Sequence, residues 1–143
     1  MEETTQPTPL MPRIGEIAPD FTAKTTQGDL TFSEFNEGSW VILFSHPADC
    51  TPVCTTELTE FAREKDFFDQ HNTKLIGLSI DSIHSHLAWV DNVHRNLGVL
   101  MDFPIIADLD MKVSQKYGML HPGESDTAAV RAVFFIDPER KVR

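Results

Sequence analysis

Cys50 and Cys54 stand four positions apart in the stretch FSHPADCTPVCTTE, residues 44–57, and are the only two cysteines in the 143-residue chain. Thiols this close can form a disulfide, share a metal ion, or leave one of them to act alone as a nucleophile. In a regular helix that spacing holds the Cβ atoms about 5–6 Å apart, whereas a disulfide needs about 3.8 Å, so pairing requires local unwinding. His46 extends the series to i, i+4, i+8. Pro47 and Pro52 nevertheless oppose one continuous helix, and a structural zinc needs a fourth ligand, so no metal site is expected. His84 and His86 form an H-x-H pair that reads as a helix start with solvated rings. The C-x-x-x-C spacing also departs from the C-x-x-C of dithiol exchange.

Cys54 is the better placed nucleophile. With Thr51 at the N-cap and Pro52 at the first helical position, Cys54 falls in the first turn at N3. Unpaired N–H groups and the helix dipole favour an anion there by about 0.3–1 kcal/mol, which stabilises thiolate over thiol. A capping box often puts a Glu at N3, and a thiolate would take that anionic place. The competing reading is a cysteine acting as a small buried hydrophobe. Arg131 bears on the choice. It interrupts the apolar run AAVRAVFFI, and a guanidinium in a strand buried on both faces is costly unless it meets an anion. Its own alternative is a strand-end or edge position with the charged head in water.

The elements that must hold these residues alternate. IGEIAPDFTAKTTQGDLTFSEF, from Ile14, reads as short strands around a TQGD turn, and SWVILFS as a buried strand. From Pro52 a helix is expected to about His71, followed by an apolar strand, KLIGLSID, at 74–81. Strand, helix and strand in that order call for a parallel crossover. HSHLAWVDNVHRNLG, residues 84–98, predicts a second helix closed by Gly98. FPIIAD then offers a short strand, MKVSQKYG a short helix, and AAVRAVFFIDP a long strand ending in the turn DPERK. The fold class is α/β, a twisted sheet covered by helices.

Composition narrows the functions. A formal net charge of −10 and the lack of any basic stripe argue against nucleic acid. No stretch has the apolar length to span a bilayer, and MEETTQPTPLMPR opens with acids, unlike a signal peptide, so a soluble cytoplasmic protein is expected. Residues 1–13, with three prolines, are expected to be an arm on a single domain over 14–143. Because KVR would begin a strand hairpinned to the previous one, the domain is expected to be cut short at its C-terminus.

FSHPADCTPVCTTEL resembles the peroxiredoxin signature P-x-x-x-T-x-x-C through Pro47, Thr51 and Cys54, and SWVILFSHPADCTPVCTTEL is closest to the one-cysteine class. HLAWV with Trp89, FPIIAD and the strand bearing Arg131 are similar to that family in order and spacing, and the likeness spans 14–143. It implies a thioredoxin-like fold and reduction of hydrogen peroxide and organic hydroperoxides. Cys54 would be the peroxidatic cysteine, Pro47 would shield the site from water, and the Thr51 hydroxyl would contact thiolate and peroxide. Arg131 would hold the thiolate and polarise the oxygens, Glu57 would orient an arginine, and His46 would line the pocket. The family usually has an aromatic residue at the place of Cys50, which leaves Cys50 either a bystander thiol or a resolving partner.

The resemblance further implies no cofactor, an external thiol reductant, a hydroperoxide substrate and a homodimer or larger homo-oligomer. A second functional reading is a redox-responsive chaperone or peroxide sensor whose assembly changes when Cys54 is oxidised. Activation has a ceiling: a cysteine of pKa near 8.5 is already about 3% thiolate at pH 7, so lowering the pKa gains at most about 30-fold, or about 2 kcal/mol. Any further acceleration must come from donors placed where charge develops on the leaving oxygen.

Overall fold

A computed structural model describes residues 11–46, 52–119 and 132–143, with only the helical backbone for Pro52, Val53 and Cys54. Its centre is strand β3 (Trp40–Ser45), in which every residue after Trp40 is buried. β4 (Thr73–Ser79) and β5 (Ile105–Ala107) continue the sheet in parallel on one side, and β6 (Ala132–Ile136) pairs antiparallel on the other. β1 (Thr22–Thr25) and β2 (Gly28–Thr31) complete a six-stranded mixed sheet of order β2-β1-β5-β4-β3-β6. The helices are α1 (Phe32–Asn36), α2 (Pro52–Arg63), α3 (Lys65–Gln70), α4 (Ile83–Leu97) and α5 (Lys112–Lys116). This is the α/β sheet flanked by helices that the sequence predicts.

Side chains alternate across a strand, so β3 feeds two cores. Val41 and Leu43 join Ile76, Leu78, Tyr117 and Phe134 on one face, while Ile42 and Phe44 join Leu58, Trp89, Val93 and Phe103 on the other. The continuous apolar run of β3 is the signature of a strand buried on both faces. α4 has the expected ends: the Ser82 hydroxyl accepts the N–H of Ser85 at 3.1 Å, and Gly98 closes the helix at φ 65°. The TQGD turn also forms, with Gly28 at φ 101° and the Thr25 hydroxyl donating to the Gly28 carbonyl at 2.7 Å.

Three expectations need correction. The helix expected from Pro52 to His71 is two helices, broken at Glu64, whose backbone (φ −91°, ψ 12°) leaves the helical region. Periodicity continues across such a break because α3 still turns Phe68 toward the core. α1 was not foreseen, since five residues are too few to show a period. β6 is an edge strand with Val133 and Phe135 half exposed, so the expectation of burial on both faces fails for its described residues. Most of the arm expected over 1–13 and the first part of AAVRAVFFI lie outside the described residues.

After β6 the chain turns back as DPERK predicts. The Asp137 carboxylate accepts the backbone N–H groups of Lys141 at 2.8 Å and Glu139 at 2.9 Å, and Arg143 Nε at 2.9 Å. The returning segment bridges Ile136 to Val142 and Ile17 to Lys141. The N–H of Lys141, with Arg143 and Glu139 assisting, holds the Asp137 carboxyl below its ordinary range. A depressed folded-state pKa gives stability that is present above the unfolded carboxylate value and lost as pH falls through the folded one. Asp137→Asn should therefore lower the urea midpoint at neutral pH and leave it close to wild type once both carboxyl states are protonated, as paired denaturation curves will show.

Gly77 in β4 faces a ring. A Cβ there would lie 3.2 Å from the Phe44 ring, and that ring is stacked on Phe61 at 4.8 Å and edge-on to Phe103 at 5.6 Å. With Phe44 held on two sides, Gly77→Ala should destabilise the protein by about 1–3 kcal/mol. Urea unfolding tests this, and a neutral or stabilising result would mean that the aromatic cluster can shift.

Candidate functional site

Of the residues singled out by the sequence, His46 lies at the carboxyl end of β3, the edge at which open α/β sheets place their sites. β3 ends at Ser45 and His46, and α2 begins at Pro52, which puts the Cys54 backbone in the third helical position. The expected N3 position in the first turn is thus met, and with it the partial positive charge of an α-helix N-terminus. Beside the end of β3 lies the start of β6: Ala132, the residue after Arg131, pairs with Ser45, whose hydroxyl accepts the Ala132 N–H at 2.9 Å. Pro47, Cys50, Thr51 and Arg131 lie outside the described residues.

His46 is 1% exposed, held by its own N–H bond to the Leu78 carbonyl at 3.0 Å. Its ring lies 5.2 Å from the Trp89 ring and 6.2 Å from that of His86. Trp89, 1% exposed, donates its indole N–H to the Thr55 hydroxyl at 3.1 Å. Thr55 follows Cys54 directly, so α4 holds the first turn of α2 by a side-chain hydrogen bond. Glu57 is on the exposed side of α2, three residues after Cys54.

The site contains two residues that sequence reasoning missed. His86 is fully buried, contrary to the expected solvated ring, while His84 is exposed as foreseen. His86, Trp89 and Val93 recur at helical spacing on the buried face of α4, a signal present in the sequence but outweighed by the polarity of H-x-H. His86 Nε2 lies 3.0 Å from the Ile106 carbonyl, which can only accept, so Nε2 carries the proton. Asp81, just past β4, accepts the Ser79 hydroxyl at 2.9 Å. One ring nitrogen of each of His46 and His86 and a carboxylate oxygen of Asp81 lie within 4.8 Å of one another.

The N-terminus of α2 suits stabilisation of an anion on its first turn. Its rigidity rests partly on the bond between Trp89 and Thr55. Trp89→Phe and Thr55→Val should each cost about 1 kcal/mol of stability. The double variant should cost less than their sum, by a coupling of about 1 kcal/mol, because each removes the same bond. Additive losses in a double-mutant cycle would show that the contact carries no energy of its own.

Residues 14–143 match the model of the AhpC/TSA family. A protein named Peroxiredoxin from Methanosarcina mazei is 54% identical, over 93% of this chain and 64% of its own length. Another of that name from Aquifex aeolicus is 53% identical, over 93% and 60%. A solved yeast mitochondrial 1-Cys peroxiredoxin, studied for thiol resolution via glutathione/thioredoxin systems, superposes with a TM-score of 0.86 at 43% identity, over 93% of this chain and 66% of that one. A mutant of the peroxiredoxin 6 of Arenicola marina gives 0.83 at 40% identity, over 92% and 62%. The architecture is therefore thioredoxin-like, and the chain spans about three fifths of the length of the curated relatives it matches.

Proposed function

Because the chain belongs to the AhpC/TSA family, we propose that it is a thiol-dependent peroxidase that reduces hydrogen peroxide and organic hydroperoxides through Cys54. The observation that carries the reading is the start of α2 at Pro52, which puts Cys54 in the first turn of a helix at the carboxyl end of a buried strand. An anion is stabilised there and a neutral thiol is not, so the thiolate is the favoured form. The family match supports this enzyme over a chaperone or sensor.

In the proposed reaction the Cys54 thiolate attacks the nearer peroxide oxygen. A sulfur–oxygen bond forms, the O–O bond breaks, and its electron pair leaves on the distal oxygen, which takes a proton and departs as water or an alcohol. Cys54 is oxidised to a sulfenic acid. Two equivalents of an external thiol then return it to the thiol, releasing water and a disulfide. The glutathione/thioredoxin systems named for the yeast relative make a small or protein thiol the reductant class to try first. No prosthetic cofactor enters the cycle.

The chain's residues divide the work in this reading. Thr51 and the first N–H groups of α2 hold the thiolate and the peroxide, and Arg131 stabilises charge on the leaving oxygen. Pro47 keeps water out, Glu57 orients the arginine, and His46, already fixed against Trp89, lines the pocket. Cys50 is a bystander in the one-cysteine cycle and a resolving thiol in the alternative. A cytoplasmic homodimer or larger homo-oligomer belongs to the same proposal. No helix among the described residues is long and apolar enough to cross a membrane.

One equivalent of hydrogen peroxide on the reduced protein should add one oxygen, localised to Cys54 by peptide mass mapping. Loss of two hydrogens would instead make Cys50 the resolving partner. Cys54→Ser should abolish turnover with a thiol reductant, and Cys50→Ser should retain it. Arg131→Ala should slow peroxide reduction by more than the about 30-fold that thiolate fraction alone can explain; equal rates after that correction would remove Arg131 from the chemistry.

A further inference from the structure

At the amino end of β4 a cleft of about 300 Å³ opens between α3, the turn joining β1 to β2 and the segment before β5. That volume is at the lower end of the range for small-molecule sites, which set a few polar groups around an apolar floor. Leu75, Phe103 and Pro104, all buried, make the floor together with the partly buried Phe68. Lys65, Lys74, Asp69 and Asp102 stand on the rim. We propose that the cleft binds a small zwitterion with an aromatic side chain, a free amino acid or a dipeptide, at a site independent of the peroxidase reading. Thr73 pairs with Trp40 at this edge of the sheet and Leu78 with Ser45 at the other. Five residue steps, about 17 Å, therefore separate the cleft from the edge where α2 begins.

The charges of the rim select the ligand. Lys65 is taken up by acids, its Nζ lying 2.9 Å from Asp69 and 3.9 Å from Asp102. Among the described residues no acid pairs with Lys74, which donates to the Phe35 carbonyl at 3.0 Å and lies 4.9 Å from the centre of that ring. An ammonium group has three N–H donors, so Lys74 can still bind a carboxylate. Asp102 is the opposite pole. Its exposed carboxylate meets Lys65 only at 3.9 Å and the Gln27 amide at 3.5 Å, which leaves it able to accept from an ammonium group. A ligand with a positive charge alone would meet Lys74 and one with a negative charge alone would meet Asp102, whereas a zwitterion is matched at both ends. An aromatic side chain between the two charges would pack against the rings of Phe68 and Phe103. Bound there, the ligand would tie α3 to the start of β4 and to the segment before β5.

The test is a titration of the full chain with L-phenylalanine and with the dipeptide Phe-Gly, followed by calorimetry and by amide shifts of the isotope-labelled protein. One ligand per chain is expected, with shifts at Thr73, Lys74 and Phe103, and the tighter of the two zwitterions names the source. Phenylalaninamide lacks the carboxylate, N-acetylphenylalanine the ammonium and glycine the ring, and each should bind at least about 5-fold more weakly than L-phenylalanine. Lys74→Met should weaken L-phenylalanine by at least about 5-fold and leave phenylalaninamide unchanged, because the carboxylate it would hold is already gone. Asp102→Asn should likewise weaken L-phenylalanine and leave N-acetylphenylalanine unchanged. Lys112→Met, at an exposed lysine outside the cleft, should change nothing. Lys74 and Asp102 are exposed, so both variants should fold, as circular dichroism will check. No saturable binding of either zwitterion at millimolar concentration, losses equal in Lys112→Met, or variants that weaken the zwitterion and its one-charge analogue alike would overturn the proposal. None of these readouts depends on peroxide turnover.

Discussion

Strand β3 hydrogen-bonds to neighbours on both sides and sends apolar side chains to both faces, so it can sit only in the interior of the sheet. Its far end then has one place to be. The chain leaves the sheet after His46 at the carboxyl edge, and the helix that resumes at Pro52 starts there. A helix N-terminus at that edge presents N–H groups and partial positive charge to whatever its first turn carries. The placement of Cys54 follows from the burial of a strand that contains no reactive residue.

A dipole is worth little if the turn that bears it frays. Helix ends are the least stable part of a helix, and an N-terminus joined to a strand by a few residues has little intrinsic reason to hold one orientation. Trp89 supplies one. Its ring fills the second core while its N–H reaches Thr55, so the burial that stabilises α4 also positions α2. His46 packs on the same indole. Core and site share side chains here, which is why a change in aromatic packing would reach the first turn of α2 without touching a reacting atom.

Much of the fold was legible because its signals are local and strong. The apolar runs of β3 and β4 lie between polar flanks, Gly98 ends α4, and Gly28 makes the turn between β1 and β2. The break at Glu64 was not legible, since α2 and α3 keep apolar residues near one phase and the backbone change leaves no mark in the pattern. The edge position of β6 was also hidden. VFFI reads as fully buried, but Phe135 and Val133 are half exposed, and which strand lies at an edge depends on the pairing of all the others.

The sequence by itself determined the α/β class, the helix start at Pro52 and the identity of the thiol in its first turn, because proline, helix capping and apolar periodicity act within a few residues. The cluster of His46, Asp81 and His86 was decided only by the tertiary structure. These residues are separated by up to 40 positions and belong to three elements, so no local spacing records their approach. H-x-H is polar by composition, yet His86 is buried because the phase of α4, set by Trp89 and Val93 against the sheet, turns it inward and gives its N–H the Ile106 carbonyl. A buried polar group needs such a partner, and only the packed sheet provides one.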